Sequence, residues 1–175
     1  MLDISFLALN DKALILSDQF SDLKLANPLS LDHPNEKLIS GDADLEISAS
    51  VTIGDGELSS NGGEVIFEEG IHLDGGKLEI LNSILKVGVQ FNKTAGKALL
   101  NGTTLELPSD LSITSDSLLS IGSLELNESS LTLESDDTDL AIEQLLLLDD
   151  PNQKLISGTA DVCLLYTSDA ADDSY

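Results

Sequence analysis

At 175 residues the chain is one domain's worth of polypeptide, and its hydrophobic fraction of 41% can build a core, which excludes a simple disordered acidic segment. Its 32 acids against 8 bases, all of them lysine, give a net charge of −24. That field repels nucleic-acid phosphates and anionic lipid head groups, so nucleic-acid binding is excluded, while solubility and diffuse attraction of cations are favoured.

The opening stretch, MLDISFLALNDKALIL, has apolar residues but no basic region before them and no small-residue cleavage site. No run approaches the roughly 18 apolar residues of a membrane helix. Either the protein is cytoplasmic, then, or Met1 is not its true start; no membrane insertion is expected from this segment. The first long phrase follows at Leu31: LDHPNEKLISGDADL (31–45) shares eleven of fifteen residues with LDDPNQKLISGTADV (148–162), 117 residues downstream.

Between these echoes the chain divides every twenty residues from Lys37, with a seventeen-residue unit before the second KLISG. Apolar-x-apolar pairs recur at fixed places. One column reads Leu45 and Ile47, Val65 and Phe67, Leu85 and Val87, Leu105 and Leu107. A second reads Val51 and Ile53, Ile71 and Leu73, Leu111 and Ile113, Leu131 and Leu133, with Phe91 alone in the third unit, aligned with Leu111. Alternation of this kind marks a strand with one buried face, which sends Glu46, Lys86, Glu106, Thr52 and Ser112 to solvent.

A third short strand opens each unit, as at Lys37–Ser40, and glycine follows it at Gly41, Gly62, Gly102, Gly122 and Gly158. Turn residues close each unit in GDG, DGG, TAG, TSD or ESD. Three strands and three corners per twenty residues predict an all-β, single-stranded parallel β-helix, a β-solenoid of about 20 residues per coil. On this reading the echoed phrase recurs because it occupies the same place in the coil. An antiparallel sandwich, with Asn101-Gly102 as a hairpin turn, does not account for the period. The best helical candidate is LAIEQLLLL (140–148).

Units such as ELSSNGGEVIFEEGIHLDGG and GSLELNESSLTLESD resemble the right-handed β-helices of bacterial haemagglutinin-type and autotransporter-passenger surface proteins. The resemblance covers roughly residues 17–162. It implies an exported adhesin or stalk, located outside the cell or on its surface, with a receptor on a host or neighbouring cell, or a polysaccharide, as partner. The chain departs from that family's pattern in lacking a signal peptide, a secretion domain and an anchor. The last thirteen residues hold the only cysteine and both tyrosines, and Cys163–Asp172 is similar to the conceptual translation of a transposase-type sequencing-library adaptor. That likeness implies an artefactual, unstructured tail over 163–175 and a repeat domain over 1–162 cut from a longer protein.

Chemistry-bearing residues are sparse. Acids cluster at Asp42/Asp44, Glu68/Glu69, Asp136/Asp137/Asp139 and Asp149/Asp150. Calcium takes six to eight oxygens, so a pair is only the beginning of a site; these read as solvated corners, with weak diffuse Ca2+ association at most. His33 and His72 have no second His or Cys at ligand spacing and read as solvated. Asn92, Asn101 and Asn127 begin Asn-x-Ser/Thr triplets. Thr52, Thr114 and Thr132 lie between core positions but form no Thr-x-Thr ladder.

Without arginine, and with Phe6, Phe20, Phe67 and Phe91 as the only aromatics before the tail, a polysaccharide-lyase or hydrolase site is not expected within the segment. No catalytic, cofactor-binding or metal-ligating residue is assigned. The expected function is a non-enzymatic rod or display module. The alternative is scaffold of a β-helix carbohydrate-active enzyme whose catalytic coils lie beyond Val162.

Overall fold

The computed structural model describes residues 1–16 and 21–165, and every strand pairing within them is parallel. Strands stack on three faces of a coil that advances by about 8 turns, a β-solenoid. The first face carries Ala13–Ile15, Lys37–Gly41 and Glu57–Asn61, then residues 77–81, 97–101, 119–121 and 140–142, and Val162–Leu164. The second carries Leu2–Ile4, Leu23–Leu25, Leu45–Ile47, Glu64–Phe67 and Ile84–Val87, then 104–106, 123–125 and 145–147. The third carries Leu29–Leu31, Val51–Ile53, 71–73, 90–93, Leu111–Ser115, Ser130–Leu133 and Lys154–Ile156.

The period-two alternation sets this arrangement, because a strand buried on one side must place every second residue inside. Leu45, Val65, Leu85 and Leu105 form one ladder, and Ile47, Phe67 and Val87 another, all at most 3% exposed. Each side chain packs on its equivalent in the next coil at about 4.8 Å, so a coil buries its apolar face only against its neighbours. Residues 140–148, the best helical candidate, contribute the strand Leu140–Leu147.

The echo does not occupy one place in the coil. Lys37 pairs with Glu57 on the first face, whereas Lys154 pairs with Ser130 and Leu155 with Leu131 on the third. The first-face position of that last coil is taken by Val162–Leu164, paired with residues 140–142. The seventeen-residue unit is therefore not a coil: Leu119 meets Leu140, and Leu140 meets Val162.

What the two phrases share is a corner. Glu36 Oε2 accepts the N–H groups of Asp32 and His33 at 2.9 and 3.2 Å, and Gln153 Oε1 accepts those of Asp149 and Asp150 at 2.7 and 3.1 Å. After the strand, Gly41 and Gly158 both turn to positive φ, +60° and +57°, where glycine avoids the Cβ penalty. Ala43 N then donates to Ser40 O at 3.0 Å and Ala160 N to Ser157 O at 2.8 Å. These bonds are local, so the module turns the chain equally well from the third face to the first or from the second to the third.

A second departure lies in the third face. Phe91 follows Ile71 but pairs onward with Ile113, not Leu111, a step of two residues. Lys93 and Ser115 therefore sit side by side in the inward column beyond Leu31, Ile53 and Leu73. Both are buried. The ordered pairing also runs past Val162 through Cys163, which is exposed, to Leu164; residues 166–175 of the tail lie outside the described residues.

Candidate functional site

A solenoid presents its chemistry as columns and corners. On the first face Lys37, Glu57, Lys77 and Lys97 share one outward column. Glu57 bridges Lys37 at 2.8 Å and Lys77 at 3.1 Å, and Lys77 also reaches Glu79 at 2.7 Å. The Lys37 ammonium, opposed by partial burial and helped by Lys77, holds Glu57 below the usual carboxylate range. Glu79 and then Glu57 push Lys77 up.

The second face repeats the device. Lys24 pairs with Glu46, which raises the lysine, and Lys86 lies 2.8 Å from Glu64 and 3.5 Å from Glu106, with Glu64 the main cause of its upward shift. Four of the eight lysines are thus interleaved with glutamates along flat strands. Like charges stacked one coil apart repel there, as Lys77 with Lys97 and Glu106 with Glu125 do, and each lysine–glutamate contact replaces such a repulsion with an attraction.

Acids at the corners have a different partner, the backbone of the next coil. Asp44 Oδ1 accepts Glu64 N–H at 2.8 Å, Asp139 Oδ1 accepts Asp161 N–H at 3.1 Å, and Asp110 Oδ1 accepts both the N–H and the hydroxyl of Ser130 at 2.8 Å. The Ser130 N–H first, then its hydroxyl, hold Asp110 below its ordinary value. Asp136 accepts the Thr159 hydroxyl, and Asp150 accepts Asn152 N–H at 2.8 Å within its own turn.

In the clusters Asp42/Asp44, Asp136/Asp137/Asp139 and Asp149/Asp150, Asp44, Asp136 and Asp139 tie coil to coil, and Asp149 and Asp150 close a turn. Glu68/Glu69 is an exposed corner. Among the described residues no group of three His, Cys, Asp or Glu is placed to hold a metal ion. His33 is 3.9 Å from Asp11 with both exposed, and His72 stands outward between Thr52 and Asn92. Phe67 and Phe91 are core residues, Phe6 is exposed, and Phe20 lies outside the described residues.

Two features of the third face have no counterpart in the apolar columns of the sequence. Lys93, 5% exposed, sends its ammonium from the core column to Asp116 and, at 3.0 Å, to Ser117 Oγ. That pairing holds Asp116 below the usual carboxylate range. Beside it, where the register steps by two, the third face opens a groove of about 370 Å³ lined by Val89, Gln90, Asn92, Ser112, Thr114 and Glu134, with buried Phe91 behind. Asn92 and Thr114 were visible in the sequence only as a glycosylation triplet and a broken threonine row. The available signal was that Val89-x-Phe91 aligns with Leu111-x-Ile113, a spacing of 22 that the twenty-residue frame hides.

The fold and these surfaces define a parallel β-solenoid with charge-paired faces and hydrogen-bonded acidic corners. Among the described residues no helix is long and apolar enough to cross a membrane. Comparison with protein-family models, with curated proteins and with solved structures finds no match.

Proposed function

We propose that the chain is a structural and adhesive repeat module of a secreted or cell-surface protein, acting as a rod or display surface rather than as an enzyme. The observation that carries this reading is the continuity of the stack. Core ladders run coil after coil, and the polar side chains of the corners are used between coils, so stiffness and a regular outer surface are the properties most directly built in. Receptors or polysaccharides would meet the outward columns, and the acidic corners would attract Ca2+ diffusely rather than hold it in a cage.

A combined test uses the purified chain. Small-angle scattering should give an elongated particle on the order of 35 Å along the coil axis, from about eight coils at the strand spacing. Incubation with a panel of neutral and acidic polysaccharides should release no new reducing ends and no unsaturated sugar. Cleavage of any of them would overturn the display reading in favour of a carbohydrate-active enzyme scaffold.

A further inference from the structure

The third face differs in kind from the other two. Its outward columns read Ser30, Thr52, His72, Asn92 and Thr114 in one register, and Gln90, Ser112 and Thr132 in the next. In a chain of net charge −24 these rows carry no carboxylate and no ammonium, while the first and second faces carry the lysine–glutamate ladders. The groove at the two-residue step lies among these neutral rows, and Glu134 at its rim is the one acid lining it.

Among the described residues many polar side chains are engaged within the chain: Ser30 with Asp32, Thr94 with Asp74, Ser120 with Glu143. In the groove several are not. Ser112 donates to Glu134 at 2.7 Å, but among the described residues Gln90, Asn92 and Thr114 make no side-chain hydrogen bond, and Asn92 Oδ1 is covered without a donor. A covered amide oxygen without a partner is uncommon in folded proteins, and being covered it is not itself open to a ligand; the groups left free at the surface are the Asn92 amide N–H groups, the Gln90 amide and the Thr114 hydroxyl. Two amides and a hydroxyl therefore line one groove, with Val89, 62% exposed, as an apolar patch beside them.

The chemistry selects the ligand class. An anion entering the groove meets the field of the whole chain and finds no cationic partner there. A metal ion finds a single carboxylate, already accepting a hydroxyl. A sugar ring offers hydroxyls that both donate and accept, which suits amides and a threonine, together with apolar C–H edges that suit a valine. We propose that this groove is a binding subsite for a neutral, hydroxyl-rich saccharide, an inference that rests on the reading of the chain as a display rod.

The experiment titrates the isotopically labelled chain with short oligosaccharides cut from dextran, mannan and xylan, with oligogalacturonate as the anionic comparator, and follows the amide resonances. At least one neutral probe should move the side-chain amides of Gln90 and Asn92 and the backbone of 112–114, while oligogalacturonate leaves them in place. Asn92→Asp and Thr114→Val should each weaken binding about tenfold, the loss of one net hydrogen bond, with Ser59→Ala on the first face unchanged. Circular dichroism establishes that each variant is folded, and Thr114→Val carries the test should Asn92→Asp unfold. No response to any neutral probe, unaltered affinity in both variants, or a response confined to the first or second face overturns the proposal. The two readings fail separately: an elongated, non-cleaving chain that binds no neutral saccharide refutes the groove alone, whereas polysaccharide cleavage refutes the display reading.

Discussion

Glu36 offers the sharpest test of how this solenoid turns its corners. The side chain is 8% exposed; its Oε2 accepts Asp32 N–H at 2.9 Å and His33 N–H at 3.2 Å, and its Oε1 lies 3.4 Å from Asp11 N. Burial alone would raise its pKa, but the N–H groups of Asp32, His33 and Asp11 outweigh it and leave the group below its ordinary value of 4.5. The stabilisation linked to this shift is complete above that ordinary value and disappears as the pH falls through the lower, folded-state value.

Glu36→Ala leaves the two well-placed donors to water at a half-open turn, at about 1 kcal/mol each, or about 2 kcal/mol together. For a chain of this size that lowers the melting temperature by about 4–8 °C. Glu36→Gln keeps an acceptor where Gln153 keeps one in the second corner, so it should lie within about 1 kcal/mol of the parent near neutral pH. Melts followed by circular dichroism from about pH 7 to pH 3 should show the parent converging on Glu36→Gln as the carboxylate protonates. A Glu36→Ala protein melting with the parent, or a Glu36→Gln protein as unstable as Glu36→Ala, would refute the corner mechanism.

Three further outcomes follow from the packing. A Cβ on Gly88 would lie 1.8 Å from the Glu68 carbonyl oxygen, whereas one on Gly158 meets nothing within 4 Å; Gly88→Ala should cost about 3 kcal/mol or more by chemical denaturation and Gly158→Ala about 1 kcal/mol, and a reversed order would sink the stacking geometry. Thr138→Val keeps the volume of a fully buried residue but removes its bonds to Ser115 N at 2.8 Å and Ser115 O at 3.1 Å, so unfolding in urea should show a loss of about 2 kcal/mol, and a change below about 0.5 kcal/mol would contradict it. Lys93→Met removes a covered ammonium whose desolvation offsets its pairing with Asp116; stability should stay within about 1 kcal/mol or rise, and a loss above about 3 kcal/mol would show that the ion pair holds the register step.

The strands and the fold were legible because burial on one face imposes a period of two, and stacking imposes a period near twenty. Both hold along the first face from Lys37 through Lys97, where Lys37, Glu57, Lys77 and Lys97 pair in succession. Register was not legible beyond that point. Nothing local distinguishes Phe91 over Leu111 from Phe91 over Ile113 until the inward partners are known. The structure places Lys93 and Ser115 together, a pair that a count of apolar columns passes over. The groove was hidden for the same reason, since Gln90, Asn92, Ser112 and Thr114 become neighbours only at the spacing of 22. Lys93 itself read as a polar gap in a core column, because the Asp116 that receives it comes from the next coil.

The echoed phrase shows why repeat counting and coil counting diverge. A corner closed by its own hydrogen bonds is indifferent to which face precedes it, so a sequence can reuse it wherever a turn of that angle is needed. The acidic composition follows from the same economy of parts. Two like charges one coil apart on a flat face repel by about 0.9 kcal/mol even in bulk water, which sums along a column. Lys24, Lys37, Lys77 and Lys86 each sit against a glutamate on the first two faces, where that repulsion would otherwise accumulate. At the corners an aspartate needs no cation, because Asp44, Asp110 and Asp139 each receive an N–H from the following coil. An excess of acids over lysines is thus tolerated at the corners, and the uncharged rows of the third face, Ser30 to Thr114 and Gln90 to Thr132, are the surface on which recognition is free to be specific.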